Sequence, residues 1–233
     1  MNKNEFLEEL KKINIELTDK QLEELDKYYK LLIEWNNKIN LTRIVDEKEV
    51  YLKHFYDSIT LTRTIDLKNN LDVCDIGTGA GFPGIVLKIV FPNLNITLVD
   101  ALNKRVEFLK LVINELNLKN IQAIHDRAEN FIRNNKNKYD LITCRAVSKL
   151  NIISELCIPG VKVNGYFIPM KANIENEIKD ISFLDKLNSK LEKIISFKLP
   201  IEDSIRNLIV IKKIKDTNNM YPRNYDKIIK KSL

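Results

Sequence analysis

Four of the chain's six glycines, Gly77, Gly79, Gly81 and Gly84, crowd into one short stretch, Leu71-Asp72-Val73-Cys74-Asp75-Ile76-Gly77-Thr78-Gly79-Ala80-Gly81-Phe82-Pro83-Gly84. The pattern predicts a buried strand, a tight turn, and a helix whose first turn holds Pro83. Glycine is selected where the backbone needs positive φ or where a ligand comes too close for a Cβ. A plain strand-to-helix connection needs one such residue. Four in one turn mark a nucleotide cradle at the carboxyl end of a strand in an open α/β sheet.

The residues that follow fit such a sheet, because apolar strands and amphipathic helices alternate regularly. A helix over Gly84 to Phe91 stops at Pro92, and Ile96 to Asp100 is the second strand. A helix over Asn103 to Leu116 precedes a third strand, Ile121 to Ile124, and a polar turn at Asp126 to Glu129. Tyr139 to Cys144 is the fourth strand, with Arg145 just past its end. A helix near Ile152 to Cys157 leads to the fifth strand, Gly165 to Met170, ending at Lys171. A helix is then expected over Ile174 to Leu191. Two last apolar runs, Ile194 to Leu199 and Leu208 to Ile214, leave no room for a crossover helix and must pair antiparallel. A mainly parallel sheet closed by an antiparallel hairpin is an architecture associated with S-adenosylmethionine-dependent methyltransferases.

Before the sheet the chain reads as helical. Thr18 and Gln21 form a capping-box signature, and Leu22, Leu25, Tyr28, Tyr29, Leu32, Trp35 and Ile39 recur at helical spacing. Asp46 and Glu49 open a further helix with His54 and Asp57 near its middle; nothing in the spacing lifts His54 above a packed residue. Residues 1–66 are therefore expected to be an N-terminal helical extension packed on the core, 67–215 the catalytic domain, and 216–233 a basic tail. No apolar run reaches the roughly 20 residues of a membrane helix and the first residues lack an apolar signal segment, which places the expected location in the cytoplasm. Cys74, Cys144 and Cys157 are odd in number and lack metal spacing, so no disulfide framework or metal site is expected. A net charge of +6 permits a polyanionic partner.

Gly79-x-Gly81-x-x-Gly84 also satisfies the dinucleotide fingerprint, and Asp100 stands where an acid would hold ribose hydroxyls for either cofactor. Asp75 separates the two readings. A carboxylate at the mouth of the turn repels a diphosphate and favours a cationic sulfonium with its ammonium group. A nicotinamide-dependent oxidoreductase is thus the weaker alternative, and a non-catalytic RNA-binding module on the same scaffold is a third. At the end of the fourth strand there is no Asn/Asp-Pro-Pro-aromatic loop, and Cys144 suits packing better than nucleophilic addition to a pyrimidine. An acceptor such as guanine N7 carries a free lone pair and no proton, so alignment alone would serve it.

The combination of Trp35-Asn36-x-x-Ile39-Asn40-Leu41-Thr42, His54-Phe55-x-Asp57-Ser58, the glycine turn with Phe82-Pro83-Gly84, Leu98-Val99-Asp100-Ala101, Arg127-Ala128-Glu129, Cys144-Arg145-Ala146 and Tyr221-Pro222-Arg223 resembles one family. It is that of the bacterial 16S ribosomal RNA guanine-N7 methyltransferases, also called glucose-inhibited division protein B. The resemblance implies S-adenosylmethionine as cofactor and guanosine 527, in the 530 loop of 16S rRNA, as acceptor on the small ribosomal subunit or its RNA. It also implies cofactor contact by Gly77, Phe82, Ala128, Glu129 and Arg145 with Asp100 on the ribose, beside the cradle residues Asp75, Gly79 and Gly81. Arg145, His54, Asn40 and Lys171 are the expected catalytic residues, with Arg127, Arg206 and Arg223 on RNA. No metal is implied, and the chain is expected to act as a monomer. Ala172 and Asn164-Gly165 depart from the family pattern only at one strand's ends.

Overall fold

The computed structural model describes residues 1–233. Capping chemistry sets the first helices. The Asn2 side chain accepts from the Glu5 amide at 3.0 Å while Glu5 accepts from the Asn2 amide at 2.7 Å, which opens α1, Lys3–Lys11. Thr18 and Gln21 make the same reciprocal pair for α2, Asp19–Ile39, which ends on Asn40 in the left-handed region at φ 51°. Asp46 caps the next helical run. It begins as α3, Glu47–Val50, widens to a π-helix over Tyr51–Tyr56, returns as α4, Asp57–Ile59, and tightens to a 3₁₀ turn at Thr60–Arg63. Such π segments recur at functional sites, and this one carries His54.

The glycine stretch leaves β1, Asp72–Ile76, and enters α5, Gly84–Val90. Then come β2, Asn95–Asp100; α6, Asn103–Glu115; β3, Ile121–His125; α7, Ala128–Arg133; and β4, Tyr139–Arg145. The chain continues through α8, Leu150–Cys157; β5, Val161–Lys171; α9, Phe183–Lys186; β6, Ser189–Lys198; β7, Ile205–Lys213; and α10, Tyr225–Lys230. The sheet order is β3-β2-β1-β4-β5-β7-β6. β1 to β5 run parallel, and β7 is antiparallel to both β5 and β6, as the short connection requires. The order reverses between β1 and β4, so ligands belong outside the carboxyl ends of those strands.

Two apolar clusters cover the sheet's faces. The N-terminal helices share one: Phe6, Tyr28, Leu32 and Phe55 are fully buried with Ile85 and Leu98. Burying each large apolar side chain contributes about 1.5–3 kcal/mol, so this helical cap is bound to the sheet by its own core. The other cluster joins β4 and β5 to α8 and, through Tyr221 and Ile228, to the C-terminal segment.

Two expectations are corrected. The helix over Ile174 to Leu191 is reduced to α9, and residues from Ser189 onward form β6 instead. Asn188 at φ 52° breaks the helical turn, and pairing of Ser189 through Lys198 with β7 overrides local helix preference. The polar turn after β3 continues into α7, whose inner face buries Phe131 and Ile132. Within the basic C-terminal segment Tyr221 and Ile228 are buried.

Candidate active site

The turn is held from beneath by Asp75. Its Oδ2 accepts from Thr78 Oγ1 at 2.6 Å and from the Gly84 amide at 2.9 Å, and the residue is wholly buried. A Cβ on Gly84 would lie 2.2 Å from Leu98, so that position must be glycine for the helix to seat on the sheet. Asp75 therefore does not stand at the mouth of the turn as its sequence position suggested; it braces the turn from inside. Burial raises its pKa to about 6 against those two hydrogen bonds, and its Oδ1 has no partner. Gly81 is also behind the turn, where Tyr28 Oη donates to the Ala80 carbonyl at 2.5 Å.

Gly79 faces the other way. Its φ is 63°, and an added Cβ would meet nothing within 4 Å. Its amide donates to Asp100 Oδ2 at 2.9 Å, while Asp100 Oδ1 accepts from the Leu102 amide at 2.9 Å. The open space is a cavity of about 440 Å³ walled by Gly77, Gly79, Phe82, Asp100, Arg105 and Arg145, among others. Its size is that of a small-molecule site. Arg105, which sequence reasoning passed over, reaches Asp100 Oδ2 at 3.5 Å. S-adenosylmethionine fits this wall: a glycine turn without Cβ atoms offers close approach, and a carboxylate such as Asp100 has the chemistry to accept from ribose hydroxyls.

A second cavity of about 400 Å³ adjoins the first and shares His54, Arg145, Ala146 and Val147 with it. Its further lining includes Lys53, Asp57, Lys171 and Arg206. Arg145 ends β4, and Ala146 at φ 54° turns the chain sharply away. The guanidinium donates through Nη1 to the Lys53 carbonyl at 2.8 Å and to Asp57 Oδ2 at 3.2 Å, and through Nη2 to His54 Nδ1 at 3.0 Å. Because Nδ1 accepts, the proton of the neutral ring is on Nε2, which donates to Thr42 Oγ1 at 3.1 Å. Burial, then the Arg145 charge, depress the His54 pKa to about 3, so the ring is uncharged at neutral pH. It stacks on Phe82 at 4.3 Å between centroids, and Arg145 lies 5.2 Å from the same ring. Phe82 thus joins the glycine turn to the Arg145–His54 pair.

The remaining expected residues divide. Lys171 is in the second cavity, donating to the Ser148 carbonyl at 2.9 Å and pairing with Glu177 at 2.8 Å. Arg206 is there too, with Nε 3.3 Å from Asp57 Oδ1. Asn40 is exposed at the end of α2 and lines neither cavity, although its neighbours Leu41 and Thr42 line the first. Ala128 and Glu129 also stand outside the cofactor-sized cavity; Glu129 is buried and accepts from Arg127 Nε at 2.6 Å. Arg127 covers the Tyr225 ring at 4.8 Å. Arg223 is far from the cleft in its partnering: Nε and Nη2 bind both oxygens of the fully buried Glu155 at 2.7 and 2.6 Å. Asp57, read only as a helix position and a motif residue, touches both Arg145 and Arg206. Its isolated position in sequence carried no signal of this. No group of His, Cys, Asp and Glu side chains suits a metal ion, and no helix is long and apolar enough to cross a membrane.

The sheet order and the cleft beside β1 and β4 define the class, an S-adenosylmethionine-dependent methyltransferase. A solved SAM-dependent methyltransferase from Aquifex aeolicus shares this fold at a TM-score of 0.53 and 18% identity, covering 72% of this chain and 94% of that one. The chain belongs to the GidB family, rRNA small subunit methyltransferase G, whose family model matches residues 21–197. Proteins named ribosomal RNA small subunit methyltransferase G from Lysinibacillus sphaericus and Bacillus subtilis are each 49% identical over 227 residues, covering 96% of this chain and 95% of each relative. Family membership settles methyl transfer over oxidoreduction.

Proposed function

We propose that the chain transfers a methyl group from S-adenosylmethionine to N7 of a guanosine in small-subunit ribosomal RNA, at position 527 in the 530 loop. The observation that carries the choice of atom is that no group in the second cavity stands clear of a charged or hydrogen-bonded neighbour as a general base would. His54 is uncharged with Nδ1 occupied by Arg145, the one carboxylate, Asp57, is engaged by two arginines, and Lys171 is paired with Glu177. An exocyclic amine must lose a proton when methylated; guanine N7 has none to lose. The family's substrate, as its name states it, fits a cavity edged by Lys53, Arg145, Lys171 and Arg206.

The cofactor supplies an electrophilic methyl carbon on a cationic sulfur. Gly77, Gly79 and Phe82 wall its site, Asp100 accepts from the ribose, and Arg145 stands at the boundary with the acceptor cavity. Arg145 and His54 are held in one geometry by five hydrogen-bond partners between them, counting each other. Their part is alignment of nitrogen, carbon and sulfur, an effect that can supply several kcal/mol. A neutral His54 adds no further positive charge beside a sulfonium. Lys171 and Arg206 hold the RNA on the acceptor side.

Nucleoside mass spectrometry of 16S rRNA from a strain lacking the gene tests the proposal. Loss of 7-methylguanosine from the 530 loop, restored by the purified protein with cofactor, is expected. Retention of that modification would overturn it.

A further inference from the structure

The second cavity contains one carboxylate among four cationic side chains. The Asp57 side chain is 4% exposed, and its two oxygens face different arginines: Oδ2 accepts from Arg145 Nη1 at 3.2 Å, and Oδ1 lies 3.3 Å from Arg206 Nε. The first contact has hydrogen-bond alignment. The second does not, and Oδ1 has no other partner. A buried oxygen left in this way is costly unless it serves something. Three distant parts of the chain meet at this residue: Asp57 starts α4 in the N-terminal helical run, Arg145 ends β4, and Arg206 is the second residue of β7.

We propose that Asp57 is a positioning residue that sets the guanidinium of Arg145 and restrains that of Arg206 for the acceptor base. This deepens the methyltransferase reading and rests on it. Asp57 is too deeply buried to meet the base itself, so it acts through the arginines. Arg145 spends Nη1 on Asp57 and the Lys53 carbonyl and one Nη2 hydrogen on His54, which leaves Nε and one Nη2 hydrogen without protein partners. Arg206 spends Nη1 on the Ile205 carbonyl and Ser204, and its Nη2 hydrogens are without partners. These free donors match the acceptor atoms of an RNA base edge and phosphate. The looser contact lets Arg206 shift toward RNA while Arg145 stays fixed. Without the carboxylate both guanidiniums lose their common anchor.

The test compares wild type with Asp57→Asn and Asp57→Glu as full-length proteins. With small-subunit RNA and radiolabelled cofactor, Asp57→Asn is expected to lower kcat by about 10²-fold, the scale of a displacement near 1 Å. Calorimetric affinity for cofactor should fall far less than kcat, because Asp57 is not in the first cavity's wall and Arg145 is one of many residues there. Asp57→Glu should recover part of kcat. Arg206→Ala combined with Asp57→Asn should cost less than the two separate losses multiplied, since one acts through the other. A kcat for Asp57→Asn within about twofold of wild type, measured below the variant's melting temperature, overturns the proposal. So does a cost that appears only as lower thermal stability. Arginine side-chain NMR of the Nε–H groups separates this failure from that of the functional reading. If wild type does not methylate guanine N7, the reading falls, yet ordered Arg145 and Arg206 signals that collapse in Asp57→Asn still sustain the anchoring role, and unchanged signals refute it.

Discussion

Replacing Arg223 by alanine decides between two roles for a residue that the family resemblance assigns to RNA. Glu155 is fully buried in α8 and receives three hydrogen bonds from Arg223: the backbone amide at 3.1 Å, Nε at 2.7 Å and Nη2 at 2.6 Å. The substitution removes the two side-chain donors and leaves a carboxylate without its counter-ion inside the protein. Breaking a buried pair from one side costs about 3–5 kcal/mol. The Arg223 side chain is 18% exposed, so water can reach that end and the lower figure, about 3 kcal/mol, applies. For a chain of this size, 1 kcal/mol moves Tm by about 2–4 °C, so calorimetry should show a fall of about 6–12 °C. RNA binding, measured across a salt series, should keep its slope. A lost phosphate contact would instead reduce the slope by about 0.7–0.9. Replacing both partners with apolar residues of similar volume should recover most of the stability. A melting temperature within about 1 °C of wild type, together with a reduced salt slope, would refute the structural assignment and return Arg223 to the RNA face.

Further outcomes follow from the cleft. Arg145→Ala should abolish methylation with a much smaller loss of RNA affinity, and Arg145→Lys should not restore activity because an ammonium lacks the planar fork that spans Lys53, Asp57 and His54; full activity in the lysine variant would contradict this. Gly79→Ala should cost about 1 kcal/mol of stability from its left-handed backbone and far more in cofactor affinity, because its methyl enters the first cavity; an unchanged calorimetric Kd would show that the cofactor is elsewhere. His54 and Asp75 give opposite pH dependences. The unfolded imidazole binds a proton below about 6.5 and the folded one only near 3, so His54 makes the fold less stable as pH falls through that window. Folded Asp75 keeps its proton up to about 6 against 3.8 unfolded, so its contribution is present below 3.8 and is lost as pH rises through 6. The two oppose each other between pH 4 and 6, by about 1.4 kcal/mol per pH unit each. His54→Asn should therefore gain Tm relative to wild type as the buffer is acidified across this range; a constant difference would refute the buried neutral ring.

The local code of the chain carried the elements whose cause is local. The capping box at Thr18, the glycine turn, Asp100 ending β2 and the antiparallel closing hairpin all follow from short-range geometry and spacing. Where an element depends on a partner, sequence pattern misled: Ser189 to Leu191 read as helix and became strand because β7 offered an unpaired edge. The same division holds in the site. Sequence placed the glycine cradle and Arg145 at adjoining strand ends, since both positions are fixed by where a strand stops. It could not say that Asp75 faces inward under the turn, that Arg223 is held by Glu155, or that Asp57 joins two arginines. Those depend on charges brought together from residues far apart in the chain, and desolvation and pairing exist only once the helical cap, the sheet and the C-terminal segment have packed. The sequence by itself determined the parallel sheet and the glycine turn, while the step from Asp75 to the cofactor failed because that carboxylate faces inward. Tertiary structure alone decided which charges face the cleft and which are spent holding it together.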